Sequence, residues 1–331
     1  MTALIENPRA GTSWRPRLDR RVRHARKPRR SKTLNPRQLV LLCALVPAVG
    51  AVLARRRLRV PRPVTLAIVS VAPLAVAAAT PRREWRYPAT WLTYMWSFTV
   101  TWTLPYEQPE ALRERLRVTY PIRIDSLLGL GTPPTVRLQR RFRKSATVSG
   151  LDRLVTLLYA SWIVPHGLLA WLLVRHQEYV PRAAGRLAAA YSLTAPAYYL
   201  IPTAPPWWAA QEAGLLDGQV ERVRRQVINS LLRKPHDSQS TPEGNPWASM
   251  PSDHIASAAI TAMGLAEVNR TYGALGWSYV ALASFAVVYL GEHYAIDAIV
   301  GLVIAVAIHA GEPLAAPLID RIVAELDRFA T

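Results

Sequence analysis

The sequence has a single cysteine, Cys43, and it lies within an apolar run. No disulfide can therefore form inside the chain, and one thiol cannot build a zinc site. No segment repeats at a period of about 20–50 residues, which excludes solenoid and propeller architectures. An apolar core close to the first residue is missing as well: the first apolar block begins only near Gln38, so cleavage as a secretory leader is not expected. Acidic residues are scarce, 22 against 41 Lys and Arg, and the formal net charge is +19. In a soluble protein that excess would point to nucleic acid. Here the basic residues gather in the first 37 positions and between apolar blocks, so membrane lipids with anionic headgroups are the expected partner and nucleic acid is not.

Half of the residues are hydrophobic, and they fall in eight blocks at roughly 38–54, 63–80, 88–104, 151–174, 183–203, 254–270, 275–291 and 293–311. Each is about the length a helix needs to cross a bilayer core, so the fold class is an all-α integral membrane protein. Prolines inside the blocks (Pro47, Pro73, Pro165, Pro196) are compatible with membrane helices, because neighbouring helices re-satisfy the freed carbonyls. Many of the eleven tryptophans stand at block edges, where an amphipathic ring suits the interface. The third block, PATWLTYMWSFTVTWTL, is rich in aromatics and Thr, which leaves open a position along the interface.

Residues 1–37 read as a disordered basic tail, with too few apolar residues to fold alone. Residues 105–150 set short apolar pieces between arginines and read as an interfacial amphipathic stretch. Residues 204–253 are polar, with VERVRRQVINSLLRK a surface helix and HDSQSTPEGNP a loop. The tail's twelve Lys and Arg should hold it in the cytoplasm of a cell-membrane protein. Eight spans then return the C-terminus to the cytoplasm and put the 204–253 loop and His293 together at the extracytoplasmic face. The short loop ARRRLRVPR counts against this orientation, and if the third block does not span, that face turns inward.

The residues suited to chemistry sit at three places. In MPSDHIASAAITAMGL, Pro251 and Ser252 read as a helix start with Ser252 the N-cap, and His254 falls in the first turn. Unpaired N–H groups and the positive end of the helix dipole favour a phosphate there, and a histidine can hold or protonate one of its oxygens. A capped helix with a histidine at the interface would look the same. In VVYLGEHYAIDAIVGLVIA, His293 and Asp297 are four residues apart and share one helix face. A carboxylate on one ring nitrogen fixes the tautomer and leaves the other nitrogen to attack. Ionisable groups in an apolar span are usually functional, although such a pair also glues helices together. In YYLIPTAPPWWAAQ the prolines make a rigid, non-helical exit from the fifth block, anchored at the interface by Trp207 and Trp208.

PSDH followed about forty residues later by H-x-x-x-D resembles the second and third motifs of the PAP2 superfamily, the type 2 phosphatidic acid phosphatases and their relatives. IPTAPPWW and the upstream RIDSLLGLGTPPTVRLQR are similar to the branch containing inositol phosphorylceramide synthase. The resemblance implies a six-helix transmembrane core over residues 88–311. It makes residues 38–80 two accessory helices, behind the tail at 1–37, and residues 312–331 a C-terminal tail. By the same resemblance His293 is the nucleophile and forms a phosphohistidine, Asp297 orients it, and His254 protonates the departing alkoxide and then deprotonates the incoming water or alcohol. No metal and no cofactor are implied, since helix N-terminal amides and basic side chains can carry the developing charge.

The chain departs from the family pattern where basic residues are expected. The first motif (Lys, six residues, Arg-Pro) is absent, with Thr194 and Ile201 in the corresponding places. Val287 stands where an Arg should precede the histidine, and Asp253 replaces a Gly. Phosphate binding then falls to other groups: Ser252 and Asp253, the hydroxyls of Tyr198 and Tyr199, and Arg222, Arg224, Arg225, Arg233 or Lys234 in the polar loop. The synthase-like branch also departs from the common first and third motifs. The expected function is a lipid phosphotransferase or phosphatase with a lipid phosphate or phospholipid as substrate and water or a small alcohol as acceptor. Transfer of a phosphoinositol-type group is favoured, and a lipid phosphate or polyprenyl (pyro)phosphate phosphatase is the alternative. A proton-coupled transporter would leave polar residues at several depths, and a lipid-gripping scaffold would give the histidine motifs no purpose.

Overall fold

The computed structural model describes residues 35–80, 85–143, 147–235, 238 and 244–329. The basic tail up to residue 34 and most of the HDSQSTPEGNP loop lie outside the described residues. Each apolar block is helical. The first two blocks and the basic loop between them form α1 (Pro36–Leu53), the single turn α2 (Arg55–Leu58) and α3 (Arg62–Ala79). The third is α4 (Arg86–Thr103), followed in the interfacial stretch by the short helices α5 (Pro109–Arg113), α6 (Thr119–Leu128) and α7 (Pro134–Phe142). The fourth block is broken by a 3-10 turn at Ser161–Ile163 into α8 (Gly150–Ala160) and α9 (Val164–Arg175), and the fifth is α10 (Val180–Leu200). The polar loop carries α11 (Pro206–Gln211) and α12 (Val223–Leu231). The last three blocks are α13 (Asp253–Val268), α14 (Arg270–Tyr289) and α15 (Ala295–Phe329). The segment from residue 312 continues α15 as far as Phe329. No strand occurs among the described residues, only isolated bridges joining Arg117 to Thr203 and Thr203 to Ala248.

Among the described residues five segments are long and apolar enough to cross a membrane: Pro36–Leu53, Arg62–Ala79, Gly150–Arg175, Arg270–Tyr289 and Ala295–Leu326. The chain is an all-α integral membrane protein. Three helices formed by the apolar blocks, α4, α10 and α13, fall outside this group. α13 touches α9, α10, α14 and α15, and α4 lies against both α3 and α10 rather than alone along the interface. The Thr hydroxyls of α4 donate to carbonyls four residues earlier in the helix (Thr93 to Ala89, Thr99 to Met95, Thr101 to Ser97), and α10 pairs its two arginines with acids of neighbouring helices. Those arginines form a network that the apolar blocks hide. Arg182 meets Glu312 at 2.6 Å and Glu267 at 3.2 Å, while Arg186 meets Glu267 at 2.7 Å and also pairs with Glu312. The four charges join α10, α13 and α15 at the end remote from the histidines, so ionisable groups are not confined to one face of the molecule.

Three local features set the other end. Ser252 caps α13 as its sequence indicates, its side chain accepting from the Ile255 N–H at 3.4 Å. α15 crosses that cap so closely that a Cβ at Gly301 would stand 2.4 Å from the Ser252 carbonyl oxygen. This brings Asp297, one turn earlier, against the residues before the cap, and its carbonyl accepts from the Ser252 N–H at 3.1 Å. The start of α15 is held from outside by Asp125 of α6, fully buried, whose two carboxylate oxygens each accept a backbone N–H at 2.9 Å, from Ala295 and Ile296. Burial pushes the Asp125 carboxyl up to about 6, with the two amides pulling the other way, so it is ionised at neutral pH and complements the helix dipole. Asp125→Ala would leave two buried amides unpaired, and a loss of about 1–3 kcal/mol is expected. Thermal unfolding in detergent micelles measures it, with Asp125→Asn falling between the two because it keeps one acceptor.

Candidate active site

His293 lies in the turn between α14 and α15, which Gly291 makes possible by adopting a positive φ of 74°. The His293 N–H donates to the Val287 carbonyl at 3.1 Å. Val287 is itself buried, so the place where an arginine was expected faces the core and carries only a backbone contact to the site. The His293 side chain is 4% exposed. Its Nδ1 lies 2.8 Å from the Ser249 carbonyl oxygen and 3.4 Å from Asp297 Oδ2. Nδ1 therefore carries the proton and Nε2 has the lone pair. Burial alone would lower the pKa of His293, but Asp297 outweighs it, with Asp253 and Glu292 adding to the effect, and the net direction is upward.

Asp297 does more than face the ring. Its Oδ2 accepts from the Ser249 hydroxyl at 2.5 Å and from the Tyr294 N–H at 2.9 Å. Ser249 is thus the hinge pin of the site: its carbonyl holds His293, its hydroxyl holds Asp297, and both are buried. The proline-rich segment places it. Thr203 donates its N–H to the Trp247 carbonyl at 2.9 Å and accepts the Ser249 N–H at 3.3 Å, while Arg117 donates its N–H to the Pro202 carbonyl at 2.8 Å. Residues 201–205 of this segment form an extended strap that pairs on both sides at Thr203, and Pro206, Trp207 and Trp208 open α11.

His254, in the first turn of α13, puts its ring 5.7 Å from that of His293, centroid to centroid, at 64°. Its other neighbour is the Tyr159 ring at 4.5 Å. Both histidines line a cavity of about 320 Å³ with Arg222, Arg224, Asp253, Ser249 and Glu292 on its polar side and Phe98, Trp102, Tyr159, Trp162 and Tyr191 on its apolar side.

Two of the candidate basic residues, Arg222 and Arg224, line this cavity. Arg222 precedes α12 with non-helical backbone (φ −85°, ψ 74°), and Arg224 is the second residue of the helix, so two residues of alternate sequence position reach one cavity. Arg224 Nε donates to Glu292 Oε1 at 2.7 Å, and Arg222 Nε stands 3.5 Å from the same oxygen. Burial would raise the Glu292 pKa, yet the Arg224 and Arg222 charges hold it down at about 2. The Arg222 guanidinium also lies 3.7 Å from the centre of the Trp207 ring. Trp207 is 4% exposed, so it is no membrane anchor: it is the buried floor beneath Arg222, and its backbone N–H donates to the Gly291 carbonyl at 3.1 Å. The 220–234 segment is likewise no free surface helix, since Val223 and Val227 pack with Val155 of α8 and Ala286 of α14.

Other candidates are placed elsewhere. The Tyr198 hydroxyl donates to the Pro251 carbonyl at 3.1 Å and the Tyr199 hydroxyl to the Thr101 carbonyl at 2.5 Å, and neither lines the cavity. Ser252 is buried and spent on its cap, and Arg225, Arg233 and Lys234 are outside the lining, with Arg225 5.7 Å from the Trp207 ring. Asp253 lines the cavity but turns to His254, Oδ1 to Nδ1 at 3.1 Å. Ser249, Glu292, Tyr159 and Asp125 carry no motif signal. Only their adjacency to the motifs, at Ser249 and Glu292, or to the quoted RIDSLLGLG run, at Asp125, hints at them.

A sequence model of the PAP2 superfamily matches residues 121–311, more than half of the chain. The chain belongs to the PAP2 superfamily. The match begins in α6 and so takes in Asp125, the arginines and both histidine motifs, leaving α1, α3 and α4 outside it. No curated protein and no solved structure matches the chain. Membership supports a phosphatase- or phosphotransferase-type function in the membrane, with lipid phosphates as the substrate class.

Proposed function

We propose that this PAP2 protein transfers a phospho group from a lipid through a phosphohistidine on His293. The observation that carries the reading is the pair of imidazoles facing each other at 5.7 Å across one cavity, each with Nδ1 beside an acceptor oxygen. In the first half-reaction His293 Nε2 bonds to phosphorus as the bond to the leaving oxygen breaks, and His254 gives that oxygen its proton. In the second, water or an alcohol attacks phosphorus, the N–P bond breaks, and the acceptor's proton passes to His254. Asp297 and Ser249 hold the nucleophile, and Arg222 and Arg224 face the phosphate charge.

The charge balance favours a diester. Two guanidiniums share the cavity with two carboxylates, Glu292 and Asp253, which suits the single charge of a phosphodiester better than the double charge of a phosphomonoester. Transfer of a phospho-alcohol group such as phosphoinositol fits this, as in the branch containing inositol phosphorylceramide synthase. An apolar cavity of about 390 Å³, lined by residues such as Leu168, Trp171 and Leu265, begins about one turn further along α9 and α13 and supports a lipid as donor. The site lies at the end of α10 and α14 and the start of α13 and α15. With a cytoplasmic N-terminal tail and eight crossings, that face is extracytoplasmic and the C-terminus cytoplasmic. Residues 88–311 are the catalytic unit and 38–80 accessory helices.

The test is product analysis with purified protein in mixed micelles, using a headgroup-labelled phospholipid with and without inositol or another small alcohol. A labelled product bearing the acceptor is expected. Release of the labelled phospho-headgroup to water alone would make the chain a hydrolase, and no turnover of any phosphodiester or phosphomonoester lipid would overturn the reading.

A further inference from the structure

The His293–Asp297 pair is not the only imidazole–carboxylate contact in the cavity. Asp253 Oδ1 lies 3.1 Å from His254 Nδ1, and both side chains are about one-fifth exposed. The other groups around His254 come from four further elements: Tyr159 of α8 at 4.5 Å between rings, Tyr191 of α10, Arg222 and Arg224 at the start of α12, and Glu292 and His293 in the turn before α15. The arginines are engaged by Glu292, and the tyrosines offer ring faces and neutral hydroxyls. The carboxylate hydrogen-bonded to the His254 ring is that of Asp253.

We propose that Asp253 is a positioning residue for His254, fixing the proton on Nδ1 and supporting the imidazolium that donates from Nε2 to the leaving oxygen. This rests on the acid–base role given to His254 above. A carboxylate on Nδ1 settles which ring nitrogen faces the reaction and stabilises the charged ring. The plain competing account is that Asp253 is an acid in the first turn of α13, where the helix dipole favours a negative charge and the imidazole is a bystander. A second competitor is that Asp253 acts directly on the substrate by repelling dianionic phosphates.

Leaving-group dependence separates these accounts. Protonation by His254 is needed for an alkoxide but hardly for nitrophenolate. Asp253→Asn keeps an acceptor on Nδ1 and loses the charge, and Asp253→Gly loses both. The expected result is a fall in kcat/KM for an alkyl phosphate ester of roughly 10–100-fold. It should be larger for Asp253→Gly, and the nitrophenol burst from the matching nitrophenyl ester should fall far less. Equal losses with both leaving groups, or a rise in activity on phosphomonoesters in Asp253→Asn, would overturn the proposal. A readout independent of turnover is the ¹⁵N spectrum of histidine-labelled protein in nanodiscs. The His254 ring is expected to hold its proton on Nδ1 in the native chain and to redistribute between tautomers in Asp253→Gly, and unchanged ring signals would also overturn the proposal. If the native chain turned over no phosphoester while the ring signals still shifted, the acid–base reading would fall and the pairing would stand.

Discussion

His293→Asn should abolish turnover, by a factor of the order of 10⁴–10⁶, without unfolding the helices. The asparagine amide nitrogen falls close to the position of Nδ1, so the hydrogen bond to the Ser249 carbonyl at 2.8 Å has a replacement donor. What the substitution lacks is Nε2, and with it the proposed nucleophile. A phosphoramidate survives alkali and is lost in acid, so labelled phosphate held on the protein after an alkaline quench is expected in the native chain and absent in His293→Asn. Turnover within tenfold of the native rate would remove His293 from the mechanism. The same atom sets the pH dependence. The His293 pKa is raised above its ordinary value of 6.5, and only the neutral ring attacks. The rate of the first half-reaction should therefore fall as pH drops through that raised value, placing the acid limb of kcat/KM above 6.5.

Arg222→Ala is expected to lower kcat/KM by about 10²–10³-fold, and Arg224→Ala by less. Both guanidiniums line the cavity, but Arg222 is 3% exposed and lies flat against Trp207, so its position is set by packing as well as by Glu292. An ammonium cannot reproduce that contact, so Arg222→Lys should recover little activity, whereas Arg224→Lys should recover more. Full activity in Arg222→Lys would mean that the site uses charge alone and that the Trp207 floor is incidental. Steady-state kinetics on one lipid substrate across these four variants measures the difference.

Helix placement was legible from the chain because its cause is local. A run long enough to cross a bilayer and apolar enough to sit in it becomes a helix wherever it occurs, and the eight blocks correspond closely to the helices. The Ser252 cap was legible for the same reason. His254, His293 and Asp297 stood out because ionisable residues are conspicuous against apolar neighbours and their spacing follows helix geometry. The meeting of the two histidines then required only that α13 and α15 start at one membrane face.

The proposed phosphate clamp was not legible. Five basic residues between 222 and 234 are chemically near-equivalent in a sequence, and their choice depends on where α12 begins and which face it packs on α8. Arg222 and Arg224 were selected by a backbone that is not yet helical at Arg222, and by a tryptophan that hydropathy assigns to the membrane interface but packing buries. Ser249 and Asp125 were hidden for a related reason. Each acts through contacts with residues more than forty positions away, a carbonyl to His293 and a carboxylate to the α15 amides. The sequence by itself determined the membrane helices and singled out His254, His293 and Asp297, since both follow from short-range pattern. Only the tertiary structure decided what holds those side chains and which basic residues share their cavity, since that depends on which distant surfaces close together.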